Sequence, residues 1–469
     1  MTDAPGSTAV RDRAGAWTYA ELAAWSHAVE AVLARRGVGR GDRVVAQLPT
    51  NRELVALFFG TTRRGAVFVP VNPAMKPFHF DSVVANAEPV LTVTKDEFGP
   101  LWSEIEQAYG ERIEPTPVDP DDVAVLIYTS GSTAAPKGVI GPHRQVTFAA
   151  GAIQAVLGYR GDDVVFCRFP MSWDYGLYKV LLSTLGRSEI VLADAESDLR
   201  LLQRMREVGA TIVPIVPSLA TMIATLAERE TEPAAPVRLF TNTGAALPDV
   251  TIAQLRAAFP GARVVRQFGQ TECKRITIMP PAEDGDRPGS SGLPLPGTSV
   301  HILAADGTEL PAGDIGEIVA AGPHVMPGYW RAPELSERAF RRDEATGGLR
   351  LHTGDYGRLD ADGYLYFEGR RDDMFKRKGI RMSTLEIEAA AMDIPGVRAA
   401  GAIPPSETRD LALCVETDLA PTTVLRELAK RLEPQKVPSL CHVVDEFPLT
   451  AHGKNATKEL ALLVEGARK

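Results

Sequence analysis

Cysteine is scarce in this chain. Four occur in 469 residues, at positions 167, 273, 414 and 441, and no two stand in a Cys-x-x-Cys pair. That spacing argues against a disulfide framework or a structural zinc site and suits a reducing compartment. Long apolar runs are missing as well: none approaches the roughly 18–20 residues that span a bilayer. The first residues, MTDAPGSTAVRDRAG, lack the apolar stretch of a secretory signal. Positive charge is in deficit, with 51 Lys+Arg against 60 Asp+Glu and a formal net charge of −9. Such a chain is a poor generic binder of nucleic acid. These absences predict a cytoplasmic protein with neither a membrane nor a nucleic-acid partner.

What remains is ordinary globular composition, 45% hydrophobic and 24% charged. A single core seldom exceeds roughly 250–300 residues, so at least two domains are expected. Residues 18–38 carry helical apolar spacing, 42–48 read as a buried strand, 53–65 as a helix and 66–72 as a strand. The alternation returns at 121–129, 164–169 and 210–230. It predicts an α/β fold with a largely parallel sheet packed with helices. From about 285 to 330, short apolar runs split by Gly and Pro predict a β-rich subdomain. The charged turn GRRDD at 369–373 marks a boundary. We therefore expect an N-terminal domain over 1–370 and a small α+β domain over 371–469.

Four segments carry groups suited to chemistry. Tyr128 to Gly138 reads YTSGSTAAPKG, a strand running into small hydroxylated residues and a lysine. Exposed N–H groups, hydroxyls and one cation are what a polyphosphate needs, and they also make a solvated turn. It is not a Walker A loop, because Gly138 follows Lys137 where Ser or Thr would hold magnesium. Gln267 to Glu272, QFGQTE, puts one carboxylate in a turn, either a magnesium ligand or a plain polar turn. In His352 to Asp355, HTGD, the carboxylate suits a ribose diol, while Asp362-Gly363 just beyond makes the region a hairpin in its own right. Pro448 to Lys454, PLTAHGK, holds a lysine on a glycine turn late in the small domain, where a surface lysine would serve equally well.

Each segment alone is weak; their order is not. The chain resembles the adenylate-forming superfamily of acyl-CoA synthetases, nonribosomal peptide adenylation domains and luciferases. The resemblance runs from TYAEL (18–22) to GKNATKEL (453–460), through GEIVAAGPHVMPGYW (316–330) and GRRDDMFKRKGIRMSTLEIE (369–388). It implies that ATP and an acid form an acyl-adenylate and pyrophosphate, and that a thiol then takes the acyl group. By that likeness Thr129, Ser130, Gly131, Ser132, Thr133 and Lys137 hold the β- and γ-phosphates. Glu272 holds magnesium, with Thr271 near the α-phosphate. Asp355 and Arg370 hold the ribose. Phe268, where the family usually has tyrosine, stacks on adenine, and Gly244, Ala245 and Ala246 line its other face. Lys454 bridges the acid and the α-phosphate. The small domain, a mobile lid, turns about Asp372 between half-reactions, exchanging Lys454 for the segment 376–381. Ala134 departs from the family's usual glycine, and the chain lacks some of the family's usual N-terminal material.

The likeness also places Asp174, Tyr175, Tyr178, Thr241, Thr243, Gln267, Arg275 and Ile276 around the acid. The set is polar and bulky, which fits a small polar acid rather than a long fatty chain. Asp174 stands where peptide-synthetase domains pair an aspartate with the substrate's amino group and where many acyl-CoA synthetases have histidine. It would equally cap a helix starting at Tyr175. Arg275 would meet a second carboxylate or pair with Asp174; the second outcome weakens the amino-acid reading. The expected partners are a small carboxylic or amino acid, and either a phosphopantetheinyl carrier protein acting in trans, since no carrier domain follows Lys469, or coenzyme A. Amide synthesis shares the first half-reaction. A noncatalytic nucleotide-binding homologue is disfavoured by the intact Lys137, Glu272, Asp355 and Lys454.

Overall fold

The computed structural model describes residues 4–129, 136–193, 197–343, 346–370, 374–377, 380–406, 409–432, 434, 436–448 and 457–466. Among the described residues no helix is long and apolar enough to cross a membrane. All four cysteines are buried, and among the described residues no disulfide joins them.

The first helix, Tyr19–Arg35, starts where local chemistry dictates. Thr18 caps it, its hydroxyl accepting from the Glu21 N–H while the Glu21 carboxylate accepts from the Thr18 N–H. It packs on the helix Arg52–Arg63. Beside them lies a five-stranded sheet in the order Leu91–Val93, Arg43–Ala46, Val67–Pro70, Val123–Thr129, Lys137–Pro142. The first four strands are parallel and the last is antiparallel. Most of their Val, Leu and Phe side chains are buried, on both faces, as parallel strands require; Leu91 and Val123 at the strand starts are half-buried.

A second, larger sheet has 14 strands. Its parallel run is Thr8–Asp12, Glu189–Leu192, Val164–Cys167, Ile212–Ile215, Leu239–Asn242, Arg263–Phe268. Thr277–Ile278 and Ser290–Pro294 then continue it antiparallel into the β-rich part, where Leu365–Arg370, Leu349–Leu359, Gly316–Ala321 and Ser299–Leu303 follow in space. The Asp362-Gly363 turn joins the first two of these. Residues 328–330 tie this part to the five-stranded sheet: Ile140 donates to Gly328 and Trp330 to Gly138, bridging Tyr329 to Val139.

The strands after residue 370 join neither large sheet. Met374–Arg377 pairs with Ile380–Ser383, and Val397–Ile403, Ala412–Thr417 and Leu440–Val444 form a three-stranded sheet. Side chains alternate along Ala412–Thr417: Leu413 and Val415 face the helices Thr384–Met392 and Pro421–Leu428, while Ala412 and Cys414 face Thr457–Gly466. The architecture is thus the α/β one expected, with mixed sheets packed by helices, a β-rich part and a small α+β unit.

Candidate active site

Most of the residues singled out above gather at the carboxyl ends of parallel strands. In open α/β sheets, chain-end geometry leaves a crevice there for ligands. Thr129 ends the strand Val123–Thr129 and pairs directly with Lys137, so the loop between them starts and stops at one point on the sheet. Ser130, Gly131, Ser132 and Thr133 lie outside the described residues, as do Asp372 and Lys454.

On the expected nucleotide side, Asp355 sits buried opposite Arg370 in the strand pair Leu349–Leu359/Leu365–Arg370. Arg370 Nε lies 3.3 Å from Asp355 Oδ1, and Gln270 Nε2 donates to Asp355 Oδ2 at 2.7 Å and to the Thr353 carbonyl at 2.9 Å. Phe268 stacks on Phe367, centroids 5.1 Å apart. Gly244, Ala245 and Ala246 form an exposed turn after Leu239–Asn242, fixed by Asn242 Nδ2 donating to the Ala245 carbonyl. The positive φ of +88° at Gly244 is easy only for glycine.

Thr271 and Glu272 are half-buried in the turn after Arg263–Phe268. The Tyr329 hydroxyl donates to Glu272 Oε1 at 2.8 Å, and the Tyr329 ring lies 5.6 Å from Lys137 Nζ. One tyrosine therefore touches the candidate magnesium carboxylate and the candidate phosphate lysine. Burial, then the neighbouring Glu272 charge, pushes the Tyr329 phenol far above its usual range, so it stays a donor. A single carboxylate fits magnesium that arrives on nucleotide phosphates, because this ion keeps several waters and needs few protein ligands. Among the described residues no group of three His, Cys, Asp or Glu forms a metal cage.

The acid side is built differently. The helix Asp174–Gly186 begins at Asp174 itself, and no side chain caps it. Gly176 lets its first turn pack against the chain before it: a Cβ there would stand 2.2 Å from the Pro170 carbonyl oxygen. Asp174, Tyr175 and Tyr178 thereby face the turn at 269–275. The Tyr175 hydroxyl donates to the Thr241 carbonyl oxygen and lies 2.9 Å from the Thr241 hydroxyl. Arg275 Nε donates to Gln267 Oε1 at 2.9 Å, its guanidinium stands 4.9 Å from the Tyr175 ring centre, and its Nη1 is 3.7 Å from Asp174 Oδ2. Arg275 thus meets Asp174 at ion-pair distance, though not in a hydrogen bond. Thr243 is buried at the strand end. Ile276 is not brought to this group; it lies in an apolar cluster with Val139, Cys273 and Met326.

Residues not singled out from sequence complete the cluster. Lys274 is 1% exposed and adopts a left-handed φ of +68°. Gly269 makes the turn possible, since a Cβ there would lie 2.3 Å from the Lys274 carbonyl oxygen. Lys274 Nζ has no hydrogen-bond partner and stands 5.5 Å from the Tyr178 ring. Lys179 is also 1% exposed. Burial, with Arg275 adding to it, lowers both lysines, Lys179 to about 7. Asp174 Oδ2, the Tyr178 hydroxyl and Gln267 Nε2 are likewise buried without hydrogen-bond partners. Buried polar atoms are normally satisfied, so four orphans among the described residues make this cluster a candidate binding site.

Thr129 and Lys137, the Asp355–Arg370 pair and the cluster around Arg275 carry the groups that the family likeness expects of an adenylate-forming site. The AMP-binding enzyme family matches residues 1–330, and the chain belongs to it; it is an AMP-forming ligase. Over 454 residues it is 30% identical to the pyochelin synthetase PchF of Pseudomonas aeruginosa, covering 91% of this chain but 25% of that protein, so the chain spans about a quarter of that relative's length. Over 474 residues it is 29% identical to a feruloyl-CoA synthase of Amycolatopsis sp, covering 96% of this chain and 94% of that one. Among solved structures, VinN superimposes with a TM-score of 0.74 and 55% identity, covering 78% of this chain and 95% of its own; VinN has also been solved with L-aspartate. ATP-bound MatB from Rhodopseudomonas palustris gives a TM-score of 0.86 at 28% identity, over 100% of this chain and 98% of that one.

Proposed function

We propose that this enzyme activates a small amino acid bearing a second carboxylate, an aspartate-like acid, and passes it to the phosphopantetheine thiol of a separate carrier protein. The observation that carries this is charge: Lys179, Lys274 and Arg275 are buried near Asp174, and among the described residues only Glu272 adds a second carboxylate, on the Lys274 side. Buried charges are costly unless compensated. The Arg275–Asp174 approach counts against an ammonium at Asp174. At 3.7 Å it leaves Asp174 Oδ2 without a hydrogen bond, and two cations remain after it. A zwitterion with an extra carboxylate supplies both missing partners, an ammonium for Asp174 and an anion for Lys274 with Gln267 Nε2. The complex of VinN with L-aspartate supports the same class of acid.

The reacting carboxylate oxygen attacks the α-phosphorus of ATP; the bond to the β,γ-diphosphate breaks and pyrophosphate leaves. Two anions approach, so the chain must neutralise charge and hold them in line. Thr129, Lys137 and the loop Ser130 to Thr133 take the outer phosphates, with Thr271 beside the α-phosphate. Asp355 and Arg370 fix the ribose, and Phe268 with Gly244 to Ala246 the adenine. Glu272 would hold magnesium, which screens the phosphate charge when bound. Lys454, delivered by rotation about Asp372, would neutralise the carboxylate–phosphate contact.

Coenzyme A as acceptor is the second reading, favoured by the near full-length match to a CoA synthase. The test is substrate-dependent pyrophosphate exchange with aspartate, asparagine, alanine and succinate, followed by separate offers of CoA and carrier protein. Aspartate should exchange fastest. Equal exchange with asparagine or alanine defeats the second-carboxylate reading, and equal exchange with succinate defeats the ammonium.

A further inference from the structure

We propose that Lys179 is a specificity-determining positioning residue: from beneath the acid cluster its ammonium holds Tyr175 and Thr241 and supplies positive charge that favours a substrate with a second carboxylate. This rests on the acidic-substrate reading above and assigns a residue to it that no motif includes.

Lys179 lies in the run Tyr175 to Leu182, YGLYKVLL, one turn beyond Tyr175 on the helix Asp174–Gly186. A methionine would fill the same space without burying a charge. Instead Nζ stands 4.5 Å from the Tyr175 ring centre, 3.4 Å from the Thr241 hydroxyl and 3.3 Å from the Tyr159 hydroxyl. Tyr175 and Thr241 are themselves joined through the Tyr175 hydroxyl. Among the described residues no carboxylate stands within ion-pair distance of Nζ. The ammonium thus touches only neutral groups that line the acid cluster, and its charge is spent on orienting them and on attracting an anion across them.

The charged and titratable groups that face Lys179 come from four elements. Asp174 and Tyr175 belong to its own helix, Cys167 to the strand Val164–Cys167, Tyr159 to the turn before that strand, and Arg275 to the turn opposite. Burial and Arg275 lower its proton affinity to about 7, while Cys167 and Asp174 raise it. Above that pH the cation is lost in the free enzyme, so capture of a second carboxylate weakens as pH rises. A neutral side chain does not feel the change.

The experiment is pyrophosphate exchange with L-aspartate and L-asparagine between about pH 6 and about pH 8, on the wild type and Lys179→Met. The ratio of the two KM values cancels effects common to both substrates. In the wild type the aspartate preference should fall several-fold across that range. In the variant, aspartate KM should rise roughly tenfold or more at the acid end, asparagine KM should rise clearly less because only the shared positioning of Tyr175 and Thr241 is lost, and the pH trend in their ratio should vanish. A folded Lys179→Met enzyme with the wild-type preference and trend overturns the proposal. If the variant does not fold, the wild-type profile decides: a preference flat across the range overturns it. A wild type indifferent to aspartate and asparagine overturns the acidic-substrate reading and this proposal together; a preference that survives Lys179→Met overturns only the proposal.

Discussion

The two halves of the candidate site treat their own polar groups in opposite ways. On the nucleotide side each contact is made within the chain. Arg370 and Gln270 meet Asp355, and Tyr329 meets Glu272 and approaches Lys137. On the acid side Asp174 Oδ2, Gln267 Nε2, Lys274 Nζ and the Tyr178 hydroxyl are buried without a hydrogen-bond partner among the described residues. On the proposed reading, Asp355, Arg370, Glu272 and Tyr329 are already placed before ATP arrives. On the same reading, the acid cluster is completed by its substrate. Selectivity follows from that shortage, because an acid lacking the missing charges leaves the orphans unpaired.

Three substitutions probe the contrast. The largest effect should come from Lys454→Ala, which in the proposed mechanism acts where the two halves meet. Adenylate formation should fall roughly a thousandfold. Thioester formation from supplied acyl-adenylate should survive, as single-turnover assays would reveal. Equal loss of both steps would contradict the role given to Lys454. Asp174→Ala should come next, raising KM for amino acids roughly ten- to a hundredfold while sparing the des-amino acid. An unchanged specificity constant for amino acids removes the ammonium partner. The smallest should be Tyr329→Phe. It deletes one hydrogen bond to Glu272 and keeps the ring beside Lys137, so ATP KM should rise only about two- to tenfold. A larger loss, measured by ATP titration, would show the nucleotide side to be less prebuilt than its geometry suggests.

The nucleotide side is also the more legible in sequence. Its groups sit in short local motifs, and strand-turn signals around them are strong. Helix and strand positions follow for the same reason, with ends shifted by one to three residues, as in the first helix, which starts after its cap Thr18 and ends at Arg35. The acid side depends on long-range packing. Lys179 reads as a surface lysine until the sheet and the helix His143–Leu157 close over it. Lys274 escapes a motif-based reading, and Ile276 is favoured in its place, because the left-handed residue rotates the chain: 274 and 275 turn inward, and 276 continues into the strand Thr277–Ile278. Gln270 and Tyr329 stand inside recognisable motifs but reveal themselves only through the partners they touch.

The twisted backbone at Lys274 has an evolutionary corollary. Left-handed geometry costs a non-glycine residue about 1 kcal/mol or more, and the buried ammonium adds to that. A glycine here would relieve both strains, so random drift pulls this position toward a sturdier protein with a blunter appetite. Retention of the lysine in a lineage is therefore a record of selection for what it catches, and its replacement by glycine would flag descendants that have changed diet.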